Sequence, residues 1–244
     1  MNVLCIIPAR LESTRLPGKL LMPLGDTSVL HHVYSNCKKV AAFSDVIIAT
    51  DSNDIKEYCR SFDANVIMTG NNHTSGTDRV YEAYSKSQVS SDLILNVQAD
   101  EPFLMKDHIE TIIQNHIKND VDVCTGVTHF SDSEELLSTA SVKVITDEHD
   151  IAMYFSRSPI PHFRDSHECN LQVYKKHIGI YSYKEEILKY FTELKESRYE
   201  SIEKLEQLRL MEKGKRYLCV PIDYDGFGID TMHDYQRALQ RIGI

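Results

Sequence analysis

Val3-Leu4-Cys5-Ile6-Ile7, continued by Pro8-Ala9-Arg10-Leu11-Glu12-Ser13-Thr14-Arg15-Leu16-Pro17-Gly18-Lys19, is an unbroken apolar run that opens into a loop carrying three fixed cations. An apolar run without alternation is the pattern of a strand covered on both faces, and such strands belong to parallel sheets flanked by helices. In open sheets of that kind ligands bind beyond the carboxyl ends of the strands. Arg10, Arg15 and Lys19 therefore stand where a polyphosphate would lie, the arginines suited to bidentate contacts and Gly18 to close backbone approach. The plain alternative is a solvated basic loop on an acidic protein.

Outward from this stretch, strand signals recur at Val46–Thr50, Asn65–Met68, Leu93–Val97 and Val121–Thr125, separated by helix-length segments at Val29–Val40, Ser52–Ser61, Asp78–Ser87 and Lys106–Lys118. The alternation predicts successive βαβ units, with Ser52 and Asp107 as residue types that favour helix starts. After about residue 128 the rhythm changes. Val142–Ile145, Ala152–Phe155 and Ile178–Tyr181 read as strands with no long helix between the first two, which predicts antiparallel pairing in an inserted lobe. Helices near Lys184–Leu194 and Ile202–Lys213, a strand at Tyr217–Val220 and a last helix from about Met232 complete the pattern. The expected fold is α/β: a doubly wound, mostly parallel nucleotide-binding sheet built from 1–128 and 214–244, with an antiparallel lobe over about 129–213.

A chain of 244 residues with 42% hydrophobic residues suits one such domain with an insertion. Its net charge is −9, with 36 acidic against 27 basic residues, which disfavours nucleic acid and anionic membrane as partners. The six cysteines include no CxxC pair, against a disulfide framework or a zinc site. With neither a leader pattern nor an apolar run long enough to span a bilayer, a cytoplasmic location without membrane insertion is expected.

Three further constellations carry chemistry. Asp100, in Asn96-Val97-Gln98-Ala99-Asp100-Glu101-Pro102, follows an apolar strand and lies on the same rim as the basic loop; Mg²⁺ prefers a few carboxylates plus phosphate oxygens and water. Asp230 is a second candidate ligand and reads equally as a helix N-cap. Asn72-His73-Thr74-Ser75-Gly76-Thr77-Asp78-Arg79 would read a base edge or bind an anion, although taken alone it favours ordinary turn chemistry followed by a cap. In the later lobe Arg157 or Arg164 would pair with a carboxylate, while His177, Glu206 and Gln207 would bond hydroxyls, the set that a sugar acid needs. Singly, each reads as a structural or surface polar residue.

Together these blocks resemble the 3-deoxy-manno-octulosonate cytidylyltransferases, or CMP-Kdo synthetases. The resemblance rests on Ile7–Arg10 with Ser13–Lys19, Ala49–Asp51, Ser75–Arg79, Asn96–Gln98 with Asp100–Pro102, and Tyr154–Arg157. It continues through His177–Tyr181, Leu205–Arg209, and Asp230-Thr231 with Asp234. It implies a homodimeric, Mg²⁺-using nucleotidyltransferase that joins CTP to a 2-keto sugar acid and releases pyrophosphate, for lipopolysaccharide or capsule synthesis. By the same resemblance Arg10, Arg15 and Lys19 hold the triphosphate, Ala9 and Ser75-Gly76 read cytosine, and Asp100 and Asp230 bind magnesium. Gln98, Arg157, Arg164, His177, Glu206 and Gln207 receive the sugar, and the inserted lobe is the sugar-binding and dimerisation lobe.

The chain departs from the family at Ala99, where glycine is usual, at Leu20, where proline is common, and at Thr231-Met232-His233-Asp234 in place of Thr-Pro-Glu-Asp. His162–Lys176 is where sugar specificity is expected to vary. The alternatives are a related acid, such as 8-amino-Kdo or another nonulosonic acid, and a silent nucleotide-binding paralogue. A P-loop kinase is disfavoured because GxxxxGK[ST] is missing.

Overall fold

The computed structural model describes residues 1–164 and 170–244, which form two compact units, Met1–Glu110 with Gly226–Ile244 and Thr111–Asp225. The first unit runs β1 (Val3–Ala9), β2 (Pro23–Leu24), β3 (Thr27–Ser28), α1 (Val29–Lys38), β4 (Phe43–Thr50), α2 (Asn53–Arg60), β5 (Asn65–Met68), α3 (Gly76–Ser87) and β6 (Leu93–Val97). After α4 (Lys106–Lys118) the second unit contains β7 (Val123–His129), α5 (Ser133–Leu137), β8 (Lys143–Thr146), β9 (Ala152–Ser156), β10 (Lys175–Lys184), α6 (Glu185–Glu193), α7 (Arg198–Glu203), α8 (Gln207–Met211) and β11 (Tyr217–Pro221). The last helix, α9 (Met232–Arg241), belongs to the first unit again.

The opening run is buried along β1 except at Pro8, and it lies between two parallel neighbours. It pairs with β4 from Val3↔Phe43 to Ala9↔Thr50, and with β6 from Val3↔Leu93 to Ile6↔Asn96; β4 pairs with β5. The strand order β6-β1-β4-β5 makes the chain wind one way from β1 through β4 to β5 and the other way to β6. The carboxyl ends of β1 and β6 thus flank the topological switch point, where a doubly wound sheet opens a crevice. Arg79, fully buried on α3, donates to Thr69 Oγ1 at 2.6 Å and to Asp51 Oδ2 at 2.8 Å, fastening the ends of β4 and β5 to the helix.

In the second unit β7 pairs antiparallel with β10 and parallel with β11, while β10–β8 and β8–β9 are antiparallel. The pairing of β7 with β10 and β11 groups it with the second unit, and the compact units divide at 110/111 and 225/226. The single helix expected over Ile202–Lys213 is instead α7 and α8, because Lys204 takes φ 53° and breaks the run; a Ser197–Glu200 capping box starts α7. Likewise α3 begins at Gly76 with Ser75 as N-cap, two residues before the expected start. Asp107 lies inside α4, one residue beyond its start.

Five cysteines, Cys5, Cys37, Cys59, Cys124 and Cys219, are free and buried; Cys169 lies outside the described residues. Among the described residues no helix is long and apolar enough to cross a membrane.

Two histidines of the second unit make its stability pH-dependent. His177 is buried and bonds Thr125 Oγ1 at 2.8 Å; burial pushes its pKa down to about 3. His116 is buried and bonds Ser182 Oγ at 2.7 Å; burial, partly opposed by the bond to the Val121 carbonyl, pushes it down to about 4. The unfolded chain takes up these protons near pH 6.5, so their stabilisation is complete above that value and is lost as pH falls toward 4 and then 3. Each should cost up to about 1.4 kcal/mol per pH unit in that window. Urea midpoints should fall between pH 7.5 and 5, less steeply in His116→Gln; equal midpoints in the wild-type protein would contradict this.

Candidate functional site

Core packing in the first unit sets the site. Leu16 and Ile229 sit in one apolar cluster with Leu24, Val29 and Ala238, backed by Phe103 and Phe227. Each is one residue from a charged neighbour, so burying Leu16 and Ile229 together brings Arg15 Nη2 to 2.9 Å from Asp230 Oδ2. The Arg15 side chain is 55% exposed, so this ion pair orients more than it stabilises. Gly18, at φ 71°, turns the loop, and its N–H bonds the Leu11 carbonyl at 3.1 Å. Lys19 then begins a short 3₁₀ turn with its side chain 10% exposed.

Lys19 Nζ donates to Asp100 Oδ2 at 2.6 Å and to Asp230 Oδ1 at 2.8 Å. Burial alone would lower the pKa of the ammonium, but the charges and hydrogen bonds of Asp100 and Asp230 raise it above its ordinary value. Two carboxylates separated by 130 residues in sequence thus converge on one cation at the end of β6. The donor set is hard oxygen, and it fits Mg²⁺, which takes one or two protein carboxylates and completes its shell from phosphate and water. Among the described residues no group of three or more His, Cys, Asp or Glu side chains is placed to hold a metal, as the all-protein cages of other ions would require.

The N-cap reading of Asp230 falls. Thr231 caps α9 by accepting from Asp234 N–H at 3.2 Å, which leaves the Asp230 carboxylate to the two cations. Asp234 Oδ2 in return accepts from Asp230 N–H at 3.2 Å and Thr231 N–H at 2.8 Å, fixing the backbone beneath Asp230. The capping box survives the departure at Met232-His233 because both its members, Thr231 and Asp234, are retained.

The switch-point rim also carries the proposed base-reading residues. Ala9 is buried at the end of β1. A Cβ at Gly76 would lie 3.8 Å from both Gln98 Nε2 and Pro8 Cγ, so α3 begins against the ends of β1 and β6. Gln98 Nε2 donates to Asn96 Oδ1 at 3.0 Å, and Ala99, the methyl that replaces the family's glycine, is buried at 4% exposure. The Ser75 hydroxyl accepts from Asp78 N–H at 3.0 Å and donates to Asp78 Oδ2 at 2.8 Å, so it is engaged in capping α3. Arg10 Nη2 donates to the carbonyls of His73 at 2.6 Å and Ser75 at 3.4 Å, tying the cationic loop to the loop before α3.

The remaining residues lie in the second unit. Arg157 donates to three backbone carbonyls, those of Glu203 at 2.8 Å, Thr139 at 2.7 Å and Lys204 at 3.2 Å, so its guanidinium pins the chain that leads into α8. His177 is a neutral, buried partner of Thr125. Gln207 is buried; its Oε1 accepts from the Tyr181 hydroxyl at 3.3 Å, while its Nε2 has no partner among the described residues. An unpaired buried amide costs about 1–3 kcal/mol, and a ligand hydroxyl would recover that loss. Arg164 and Glu206 are among the described residues; part of the His162–Lys176 segment lies outside them.

Comparison with known proteins follows the same lines. The cytidylyltransferase family model matches residues 4–217. The 3-deoxy-manno-octulosonate cytidylyltransferase of Francisella philomiragia is 38% identical over 98% of this chain and 97% of its own length. That of Thermodesulfovibrio yellowstonii is 40% identical over the same shares. A solved CMP:2-keto-3-deoxy-manno-octonic acid synthetase complexed with CTP superposes with a TM-score of 0.91 at 34% identity, covering 99% of this chain and 98% of that one.

Proposed function

The chain belongs to the cytidylyltransferase family, and from that premise we propose that it transfers CMP from CTP to the anomeric hydroxyl of 3-deoxy-manno-octulosonate (Kdo), releasing pyrophosphate. It is a CTP-dependent nucleotidyltransferase. The observation that carries the reading is the convergence of Asp100 and Asp230 on Lys19, with Arg15 alongside, at the edge of the switch-point crevice. Attack on the α-phosphorus builds negative charge on phosphate oxygens and on the departing pyrophosphate. Cations preorganised at that place lower the barrier without a covalent enzyme intermediate.

In this reading Arg10, Arg15 and Lys19 grip the triphosphate and neutralise the leaving group. Ala9 and the Ser75-Gly76 backbone read the base. Asp100 and Asp230 hold Mg²⁺, which when bound supplies Lewis-acid stabilisation of phosphate charge. Gln98, Arg157, Arg164, His177, Glu206 and Gln207 receive the sugar acid; the unpaired Nε2 of Gln207 supports that assignment. The reading includes a homodimer, to which the exposed Met153 and Ile202 of the second unit offer apolar surface, and a cytoplasmic place in lipopolysaccharide or capsule synthesis.

Incubating the purified protein with CTP, Mg²⁺ and a panel of sugar acids while measuring pyrophosphate release tests it. Kdo should give the highest kcat/KM. Turnover with 8-amino-Kdo or another nonulosonic acid and none with Kdo would transfer the assignment to that acid.

A further inference from the structure

Glu82 stands two turns into α3, away from the carboxylates described above, yet it organises the loop that precedes the helix. Its Oε2 accepts from Gly70 N–H at 2.9 Å and meets His73 Nε2 at hydrogen-bond distance. Its Oε1 pairs with Lys86, whose ammonium also reaches the Met68 carbonyl at 2.9 Å. Both ends of the Gly70–His73 loop are thus drawn onto one carboxylate, and the His73 and Glu82 side chains are 17% and 26% exposed. The packing there is close: a Cβ on Gly70 would meet Asn72 Oδ1 at 2.8 Å and Glu82 Oε2 at 3.6 Å. Partial burial would raise the Glu82 pKa, but the bonds from Lys86, Gly70 and His73 hold it down at about 2, so the clamp keeps its charge at any working pH.

The loop so held presents its carbonyls to Arg10. His73 bonds Glu82 through its ring and Arg10 through its backbone oxygen, so a continuous chain of contacts runs from Glu82 through His73 to Arg10. Resting on the nucleotide reading given above, we infer that Glu82 is a positioning residue: through His73 it fixes the carbonyls that orient Arg10, coupling the loop that reads the base to the arginine that grips the phosphates. A glutamate serving only its helical partner Lys86 would leave the nucleotide indifferent to its loss.

The experiment measures CTP binding by titration calorimetry, the KM for CTP and for the sugar acid, kcat, and the thermal midpoint. The proteins compared are the wild type, Glu82→Ala, Glu82→Gln, Arg10→Ala and Arg10→Ala/Glu82→Ala. Glu82→Ala should weaken CTP binding and raise its KM about ten- to a hundredfold, the scale of a misplaced binding group, with the KM for the sugar acid within about twofold. Glu82→Gln keeps an oxygen for Gly70 and His73 and should recover most of the loss. In the Arg10→Ala background the Glu82→Ala step should shrink to about twofold, because the effect travels through Arg10.

CTP affinity unchanged in Glu82→Ala would overturn the inference. So would an equal loss with and without Arg10, or a loss that follows unfolding and is not relieved by Glu82→Gln. Failure of the wild-type protein to bind CTP would strike the nucleotide reading itself, a separate and distinguishable result.

Discussion

Asp100→Ala should reduce turnover by about 10³-fold or more while the protein stays folded, because in the proposed site the substitution removes a magnesium-binding carboxylate and little that holds the core. Lys19 keeps Asp230 at 2.8 Å after the change, so its mostly buried ammonium is not left unpaired. The thermal midpoint should move by only a few degrees, the shift expected for about 1 kcal/mol in a chain of this size. A variant that keeps a tenth or more of wild-type kcat would remove Asp100 from the chemistry. A variant that unfolds would make it a structural partner of Lys19.

Lys19→Met should also be severe, lowering kcat/KM by about 10²- to 10⁴-fold, the range seen when a cation facing transferring phosphates is lost. Its second signature is independent of activity. Without the ammonium, two carboxylates that both lay within 2.8 Å of it lose their shared cation, and Arg15, 2.9 Å from Asp230 and 55% exposed, stays beside them. The variant should melt below the wild-type protein, and added Mg²⁺ without nucleotide should raise its midpoint more than it raises that of the wild type. Equal magnesium shifts in the two proteins would mean that Asp100 and Asp230 do not form a common cation site.

Much of the first unit was legible in the chain. The run at Val3–Ile7 became a strand with parallel neighbours on both sides, and Ser52 became the N-cap of α2, since apolar patterning and capping chemistry act over a few residues. The second unit was harder to bound. Its strand β7 reads like those before it, and only pairing with β10 and β11 assigns it elsewhere. The break between α7 and α8 rests on one residue, Lys204, whose positive φ no propensity of lysine announces.

Of the candidate site, residue types were readable and partnerships were not. Arg157 carries the charge a carboxylate wants, yet its nitrogens meet three backbone carbonyls; Glu82 lies four residues before Lys86 on α3, and its contact with His73, nine positions earlier, exists only because the loop before the helix folds back onto it.

By itself the sequence determined the alternating α/β pattern, the three cations after the first strand, the acidic residues available to face them, and the family these blocks belong to. Only the tertiary structure decided that Asp100 and Asp230 share Lys19, that Thr231 rather than Asp230 caps α9, and that Glu82 anchors the loop bonded to Arg10. The reason is physical. Local patterns follow from side-chain sterics and burial within a few residues, whereas a contact spanning 211 positions, as between Lys19 and Asp230, exists only once strand register and the packing of Leu16 against Ile229 have fixed where each backbone lies.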